Sequence, residues 1–416
     1  MKKFIVTSLL TLIFFINFNV YTTSAEAVPT LEAEGVVLMD GTTGEIIYSK
    51  NPNTKYEPAS TTKVMTALIT LENCKLDDKV TIGSNPPEVD GTIIGVAKGE
   101  VYTVKELLLG LLLESGNDAA EALAEHISGS NEAFGKLMTK KAKELGANNT
   151  VFKNPSGLHE EGHVTTAYDL SLIMKTAYNN KDFLEISRTP YYIFKNNPNF
   201  DGSEKWANNK NHCINPNSPY YYEYAVSGKT GYTPEANHTY TSVAKKGDQV
   251  LIASFLNATD KDTQFRNVGE LFQYGFDNFQ TTKIVSKGEK LSEYKINDNI
   301  TIPLLATTDV YFTQSKSDPK PIVSVTYENR DISKKTINKG DLLFNSSILV
   351  NNKDFAKIDL SSGIDRDYSF KVKVSEYLQK LKEDKPKLLI ASFTFLIIIL
   401  FLLFILKIIK KKRQRK

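Results

Sequence analysis

Two long apolar runs lie near the ends of the chain, and shorter apolar patterns lie between them. Residues 4–20 follow the charged start Met1-Lys2-Lys3 and precede the small-residue sequence Ala25-Glu26-Ala27. A charged start, an apolar middle and an A-x-A end are typical of a secretory signal peptide. The pattern predicts a signal peptide at residues 1–27, and a retained N-terminal anchor is the alternative.

The second long run, residues 388–406, contains no charged residue and is followed by a tail rich in lysine and arginine. An uncharged apolar run of about 20 residues can cross a bilayer, and clustered Lys and Arg mark its cytoplasmic side. We therefore expect a single-pass protein of the cell membrane whose globular part is exported. The predicted C-terminal segments are a linker at residues 376–387, a transmembrane helix at 388–409 and a basic cytoplasmic tail at 410–416.

Between these ends, residues 28–279 mix helical and strand patterns, which predicts an α+β domain. A capping box at Thr103 and Glu106 opens a helix into the leucine-rich residues 107–113. This leucine run is too short to span a membrane and indicates a buried helix. The other predicted helices cover residues 60–71, 118–127 and 265–279, and strands are predicted within residues 34–48 and at residues 225–230, 239–244 and 249–256.

After residue 280 the pattern changes to short stretches in which apolar and polar residues alternate. Such alternation, with polar turns between the stretches, predicts a small all-β domain at residues 280–375. The predicted strands lie at residues 301–305, 309–313, 322–327 and 370–374.

The composition disfavours one class of partner and leaves the state of the cysteines open. The net charge is only +3, and basic residues do not interleave with aromatic ones on a stripe, so nucleic acid is not expected as a partner. The two cysteines, Cys74 and Cys213, form no disulfide framework, and their spacing leaves open whether they pair.

The sequence HEEGH matches the zinc-protease pattern H-E-x-x-H at His159, Glu160 and His163. That pattern binds zinc only when both histidines lie on one face of a helix. Turn-forming residues precede it and Gly162 interrupts it, both of which disfavour a helix. We predict a surface loop here and no metal site.

Three other segments carry candidate chemistry, and the first contains Ser60 and Lys63, three positions apart at the start of a predicted helix. Residues at this spacing face the same way. A serine hydroxyl is a weak nucleophile that needs a neighbouring base, and a neutral lysine can serve. Burial or a second nearby cation must then lower the lysine pKa.

The second and third segments are weak signals when taken alone. Ser115 and Asn117 lie in a predicted turn between two helices, where a hydroxyl and a carboxamide can relay a proton and hold a substrate amide. Lys229 and Thr230 offer a cation and a hydroxyl from a predicted strand, and Gly231 leaves room for a substrate backbone.

In this order, the three segments match the S-x-x-K, S-x-N and K-T-G set of penicillin-recognising enzymes. From about residue 33 to residue 279, the chain resembles the low-molecular-mass penicillin-binding proteins, which are the serine D-alanyl-D-alanine carboxypeptidases of peptidase family S11. Further similar stretches are residues 37–40, 152–158, 165–170 and 228–233. The resemblance implies a catalytic domain like that of β-lactamases and transpeptidases, with an antiparallel sheet flanked by helices.

The resemblance also implies a role for each site residue. Ser60 would attack the carbonyl between the two terminal D-alanines of a peptidoglycan stem pentapeptide, and Lys63 would be its general base. The other implied roles are proton relay for Ser115, substrate binding for Asn117, Lys229, Thr230 and Gly231, and an oxyanion hole from the backbone N–H groups of Ser60 and Tyr232.

Other implied properties concern partners and rival functions. β-Lactam antibiotics would acylate the same serine, and no metal or organic cofactor would be needed. Arg266 is a further candidate for binding the substrate carboxylate, and the role of Asp169 is left open between structure and catalysis. The alternatives are a β-lactamase, disfavoured because no E-x-x-L-N string occurs, a transpeptidase or DD-endopeptidase of the same fold, and a catalytically silent wall-binding protein.

Overall fold

The computed structural model describes residues 28–198, 202–297, 299–328 and 330–369, and short stretches between 371 and 405. The predicted signal peptide and basic tail, and most of the predicted linker and transmembrane helix, lie outside these residues. Within the described parts, no helix is both long and apolar enough to cross a membrane. The chain forms two compact units, Met1–Thr282 with Tyr311–Pro319, and Lys283–Val310 with Lys320–Lys416.

The first unit is built on a five-stranded antiparallel sheet with the order β2-β1-β9-β8-β7, which leaves β7 at one edge. Two short hairpins, β3 with β4 and β5 with β6, lie outside this sheet. The strands are β1 (Gly35–Asp40), β2 (Ile46–Lys50), β3 (Lys79–Thr81), β4 (Val101–Thr103), β5 (Tyr191–Pro198), β6 (Glu204–Asn208), β7 (Ala225–Thr233), β8 (Asn237–Lys246) and β9 (Gln249–Ala258).

Helices cover both faces of this sheet. They are α1 (Lys63–Asn73), α2 (Val104–Leu109), α3 (Asn117–Ser128), α4 (Asn131–Glu144), α5 (Ala167–Tyr178), α6 (Lys181–Ser187) and α7 (Lys261–Asn278). The alternation along β9 shows why both faces are covered. Ile252 belongs to the core formed with α1 to α6, whereas its neighbours Leu251 and Ala253 belong to the core formed with α7. A strand with both faces buried is apolar at nearly every position.

The second unit contains a five-stranded antiparallel sheet with the order β11-β12-β16-β15-β14. Ile302, Phe344 and Leu360 are among the buried residues of its core. A separate ladder pairs β10 with β13, and most residues of both strands belong to the first unit. The strands after α7 are β10 (Phe279–Val285), β11 (Lys290–Asn297), β12 (Ile300–Ala306), β13 (Val310–Ser315), β14 (Val323–Tyr327), β15 (Leu342–Val350) and β16 (Lys353–Ser362).

Two expectations differ from the structure, and one hairpin of the second unit was not expected. The strand predicted at 370–374 is wrong, because the described residues Lys371 and Lys373 are helical; an alternation over five residues is too short to fix the period. The hairpin of β15 and β16 was not predicted. The predicted strand at 309–313 lies largely with the first unit, since β13 pairs with β10, which follows directly after α7.

Cys74 is half-buried and Cys213 is buried, and both are free thiols. The structure therefore contains no bond between these two cysteines.

Candidate active site

Ser60 lies on a tight turn just before a buried helix. Residues Ala59–Thr62 form a single 3₁₀ turn, and α1 begins at Lys63, so the predicted helix starts three residues later as an α-helix. Residues three apart eclipse one another in 3₁₀ geometry, which keeps Ser60 and Lys63 on one side. The hydroxyls of Thr61 and Thr239 both donate to the carbonyl oxygen of Pro58, at 2.6 and 2.8 Å, and hold this turn.

The Lys63 side chain is completely buried, and its Nζ makes three hydrogen bonds. The acceptors are Ser60 Oγ at 2.8 Å, Asn117 Oδ1 at 2.7 Å and the carbonyl oxygen of Ser156 at 2.6 Å. Three acceptors match the three protons of an ammonium group, so the position of this nitrogen is fully specified.

Burial lowers the pKa of Lys63 well below its usual value, and the positive charge of Lys229 lowers it further. The carboxylate of Asp118 opposes this shift. Asp118 is itself buried and accepts hydrogen bonds from the backbone N–H groups of Ile94, Gly95 and Val96 at 2.8–3.0 Å. These backbone N–H groups stabilise the negative charge of the Asp118 carboxylate.

Ser115 and Asn117 are placed by an irregular helix end. After α2 the backbone widens into a π-helical turn, Gly110–Glu114, and Ser115 then takes a left-handed conformation with φ of 72°. Such turns occur often at functional sites. Asn117 begins α3, and its Nδ2 donates to the carbonyl oxygen of Asp90 at 2.7 Å while its Oδ1 accepts from Lys63. The Asn117 amide therefore orients the lysine.

Lys229 projects from the edge strand β7 and is buried, with Nζ donating to the carbonyl oxygen of Thr230 at 2.8 Å. Burial lowers its pKa to about 7, against the opposing charge of Glu114 and with a smaller lowering from Lys210. Glu114 and Lys210 form an ion pair at 2.8 Å.

Gly231 lies against the turn that carries Ser60. A Cβ at this position would be 2.6 Å from the backbone nitrogen of Ser60 and 2.5 Å from Thr239 Oγ1. Only glycine allows the strand and the serine turn to approach this closely. The next residue, Tyr232, is exposed and stacks at a tilt on His238, with ring centroids 4.6 Å apart.

These elements enclose a cleft of about 390 Å³, a size typical of small-molecule sites. It brings together Ser60, Ser115, Thr230, Gly231 and Tyr232, with Lys63, Asn117 and Lys229 buried behind its wall. The other lining residues are Thr92, Glu114, Lys210, His238, Lys261, Gln264 and Phe265.

Sequence reasoning missed two cations of this cleft, Lys210 and Lys261, and proposed Arg266 instead. Arg266 is not among the lining residues, and its Nη2 donates to Thr263 Oγ1 at 2.8 Å. Lys210 lies in a loop outside all three motifs, so no local pattern pointed to it. Glu114 could have been found from the sequence, because it directly precedes Ser115 in the second motif.

The HEEGH segment is a loop in the structure, as predicted, but it lies on the surface only at residues 159–162. His163 is buried and bonded to Thr62 Oγ1 at 3.0 Å, and burial lowers its pKa to about 3, so its ring is neutral. His159 is exposed and pairs with Glu57 at 2.9 Å, with Glu235 close by. The expectation that the protein binds no metal stays a prediction.

Asp169 is bonded to a neighbouring loop of the protein. It is buried, and its Oδ2 accepts hydrogen bonds from Asn149 N and Thr150 Oγ1, both at 2.7 Å. It does not line the cleft. This placement assigns Asp169 to the support of the loop before the HEEGH segment.

Comparison with known proteins identifies the relatives of this fold and site. A family model described as D-alanyl-D-alanine carboxypeptidase, peptidase S11, matches residues 22–260, and one described as penicillin-binding protein 5, C-terminal domain, matches residues 279–367. The chain is 34% identical to the D-alanyl-D-alanine carboxypeptidase DacF of Bacillus subtilis, over 74% of this chain and 77% of that protein.

Two solved structures are also similar. Penicillin-binding protein 5 of Haemophilus influenzae superposes with a TM-score of 0.67 at 26% identity, covering 82% of this chain and 98% of its own. A D-alanyl-D-alanine carboxypeptidase of Mycobacterium tuberculosis superposes with a TM-score of 0.56 at 32% identity, covering 61% and 95%.

The fold is that of the penicillin-binding proteins, which confirms the predicted catalytic domain and the all-β domain after it. Within that class, the chain belongs to the D-alanyl-D-alanine carboxypeptidase family, peptidase S11, of low-molecular-mass penicillin-binding proteins.

Proposed function

We propose that this protein is a serine carboxypeptidase that removes the terminal D-alanine from peptidoglycan stem pentapeptides through an acyl-enzyme on Ser60. The observation that carries the proposal is the hydrogen-bond geometry of Lys63. Of its three acceptors, the amide oxygen of Asn117 and the carbonyl of Ser156 cannot donate a proton, whereas the hydroxyl of Ser60 can.

This asymmetry determines where the lone pair of a neutral Lys63 points. Its two remaining N–H bonds go to Asn117 Oδ1 and Ser156 O, so the lone pair faces the Ser60 hydroxyl. The lowered pKa of Lys63 makes the neutral amine available. Lys63 can then accept the Ser60 proton as the nucleophile attacks, in the role of a general base.

In the first chemical step, Ser60 Oγ forms a bond to the carbonyl carbon of the penultimate D-alanine. The C–N bond to the last D-alanine breaks, and the proton taken by Lys63 passes to the leaving amine, with Ser115 at the cleft wall as relay. In the second step, water hydrolyses the ester and restores the Ser60 hydroxyl. A β-lactam would form the same acyl bond by opening its ring.

The edge position of β7 suits an extended peptide substrate. One side of this strand pairs with β8, and the other borders the cleft at Thr230, Gly231 and Tyr232. A substrate strand can add to such an edge through backbone hydrogen bonds. The hydroxyl of Thr230 and the charge of Lys229 would hold the terminal carboxylate, and the N–H groups of Ser60 and Tyr232 would stabilise the oxyanion.

The proposal extends to location. The apolar run at residues 388–406 and its basic tail support a single membrane span with the catalytic unit on the extracytoplasmic side. This arrangement would keep the enzyme beside its wall-bound substrate.

The test compares the full-length wild type with Ser60→Ala, both purified in detergent. We expect fluorescent penicillin to label the wild type covalently and not the variant, and D-alanine release from a stem pentapeptide to fall to background in the variant. Label that persists on Ser60→Ala would place the nucleophile elsewhere. Labelling of the wild type without D-alanine release would overturn the carboxypeptidase activity but keep the acylating serine.

A further inference from the structure

A second cavity of about 410 Å³ lies next to the catalytic cleft and shares a wall with it. The segment 208–211 forms this wall. Lys210 lines the catalytic cleft, whereas Asn208, Asn209 and Asn211 line the second cavity. The backbone N–H of Asn208 donates to the cleft residue Glu114 at 2.9 Å, which fixes the wall in place.

The lining of the second cavity contains five asparagines and one arginine but no acidic side chain. It consists of Arg188, Pro190, Tyr191, Asn208, Asn209, Asn211, Ile214, Asn215, Pro216 and Asn217. The Asn209 amide is already bonded within the protein, since its Nδ2 donates to the carbonyl oxygens of Ser187 and Thr189, both at 2.8 Å. The side chains of Arg188, Asn208 and Asn217 have no hydrogen-bond partner among the described residues, so they are free to bind a ligand.

An aromatic surface continues from this cavity along the outer face of the β5–β6 hairpin. Tyr191 pairs with Asn208, and Ile193 pairs with Trp206, so all four side chains share one face. Tyr191 and Trp206 are 56% and 44% exposed, and their rings lie 5.6 Å apart at an angle of 34°. The opposite face carries the buried Phe194 and Ala207.

This combination fits a sugar better than a cationic or purely apolar ligand. A pyranose ring has an apolar C–H face, which stacks on an aromatic ring, and a rim of hydroxyl groups. An asparagine amide both donates and accepts hydrogen bonds, which matches hydroxyl and acetamido groups. Large exposed aromatic side chains beside polar groups often mark binding sites.

We propose that the cavity and the Tyr191–Trp206 surface form a subsite for the glycan of the substrate, a β-1,4-linked chain of N-acetylated hexosamines. This inference rests on the proposed function, because a stem peptide in the cleft is attached to such a glycan. The subsite would bind the sugar while the peptide end reaches Ser60 on the other side of the 208–211 wall.

Trp206 is the only tryptophan in the chain, so its fluorescence reports directly on this surface. Full-length protein in a detergent without sugar head groups is titrated with an N-acetylglucosamine tetramer. We expect a saturable change in fluorescence, and a dissociation constant about three- to tenfold higher for Tyr191→Ala, from the loss of one aromatic contact. Asn217→Ala, on an exposed loop, serves as the second variant and should also weaken binding.

Two controls make the result specific. Phe355→Ala removes an exposed aromatic ring from β16 in the other unit and should bind the tetramer like the wild type. Cellotetraose, which has the same linkage without acetamido groups, should bind more weakly. No saturable change, equal affinity in Tyr191→Ala and the wild type, or an equal response to a pentapeptide without sugar would each overturn the proposal.

A kinetic experiment separates this proposal from the proposed function. For D-alanine release, the wild type should show a lower KM with a disaccharide pentapeptide than with the free pentapeptide. Tyr191→Ala should lose that difference while kcat and penicillin labelling stay unchanged. If neither substrate releases D-alanine, the proposed function fails, and the fluorescence titration still decides whether the sugar site exists. Equal KM values for both substrates in the wild type would overturn the coupling of the subsite to the reaction.

Discussion

At the scale of single residues, the direction of each hydrogen bond around Lys63 matters more than the number of bonds. A buried ammonium with three good acceptors is well satisfied, which would favour the charged form. Its burial and the neighbouring Lys229 oppose that form. The outcome is a base held in position by two fixed acceptors, with the nucleophile as the third.

Replacing Lys63 by arginine tests the need for a neutral amine. Arginine stays protonated in proteins, so Lys63→Arg cannot take the Ser60 proton. We expect the second-order rate of penicillin acylation to fall about 100- to 10,000-fold, the usual contribution of general base catalysis. The rate is measured by stopped-flow or gel-based labelling, with circular dichroism to show that the variant is folded. Acylation at the wild-type rate would exclude Lys63 as the base.

The pKa of Lys229, lowered to about 7, predicts a pH dependence of substrate binding. Below pH 7 the free enzyme carries this charge and attracts the substrate carboxylate; above pH 7 the charge is progressively lost. We therefore expect KM for the pentapeptide to rise above pH 7, by at most about tenfold per pH unit for one titrating group.

The matched variant is Lys229→Arg, whose guanidinium does not titrate in this range. Its KM should depend less on pH, even if its value is higher throughout. The same pH dependence in both proteins would show that another group controls binding.

At the scale of elements, the site depends on how closely β7 approaches the turn before α1. The sequence predicted the elements that carry all three motifs, because hydrophobic periodicity and turn residues are local signals. It could not predict the 3₁₀ turn at Ala59–Thr62 or the π-helical turn at Gly110–Glu114. The first of these turns is held by a hydrogen bond from Thr239, a residue distant in sequence.

Gly231→Ala tests that approach. Its Cβ would lie 2.6 Å from the backbone nitrogen of Ser60, so the strand or the serine turn must move. A displacement of about 1 Å can lower a rate about 100-fold, and we expect a loss of this size in acylation.

The control is Gly269→Ala within α7, where the nearest atom to an added Cβ is 3.9 Å away. It should leave acylation unchanged and stabilise the protein slightly, since alanine favours a helix. Thermal unfolding and penicillin labelling of both variants give the answer. Wild-type acylation by Gly231→Ala would show that the close approach is not needed.

At the scale of the whole molecule, the candidate site lies in one of the two compact units. The first unit contains every residue of the candidate site, and the second unit is an all-β fold with its own core. The predicted membrane span follows the β-strands of the second unit in the sequence.

Truncation tests the membrane assignment. In a bacterial host, we expect the full chain to be recovered with the membrane fraction, whereas a chain ending at residue 369 should be exported in soluble form. The shortened chain should still be labelled by penicillin, because all site residues lie in the first unit. Full-length protein in the soluble fraction would contradict the predicted span.

The sequence alone determined the class of fold, the order of the motifs, and the expectation that Ser60 and Lys63 act together. These are local properties: a helix start fixes the spacing of Ser60 and Lys63, and a strand fixes the direction of Lys229. Tertiary structure alone decided what surrounds them. The burial that lowers both lysine pKa values, the Lys210–Glu114 pair and the cavity behind the 208–211 wall arise from segments far apart in sequence, whose contacts depend on packing rather than on any local pattern.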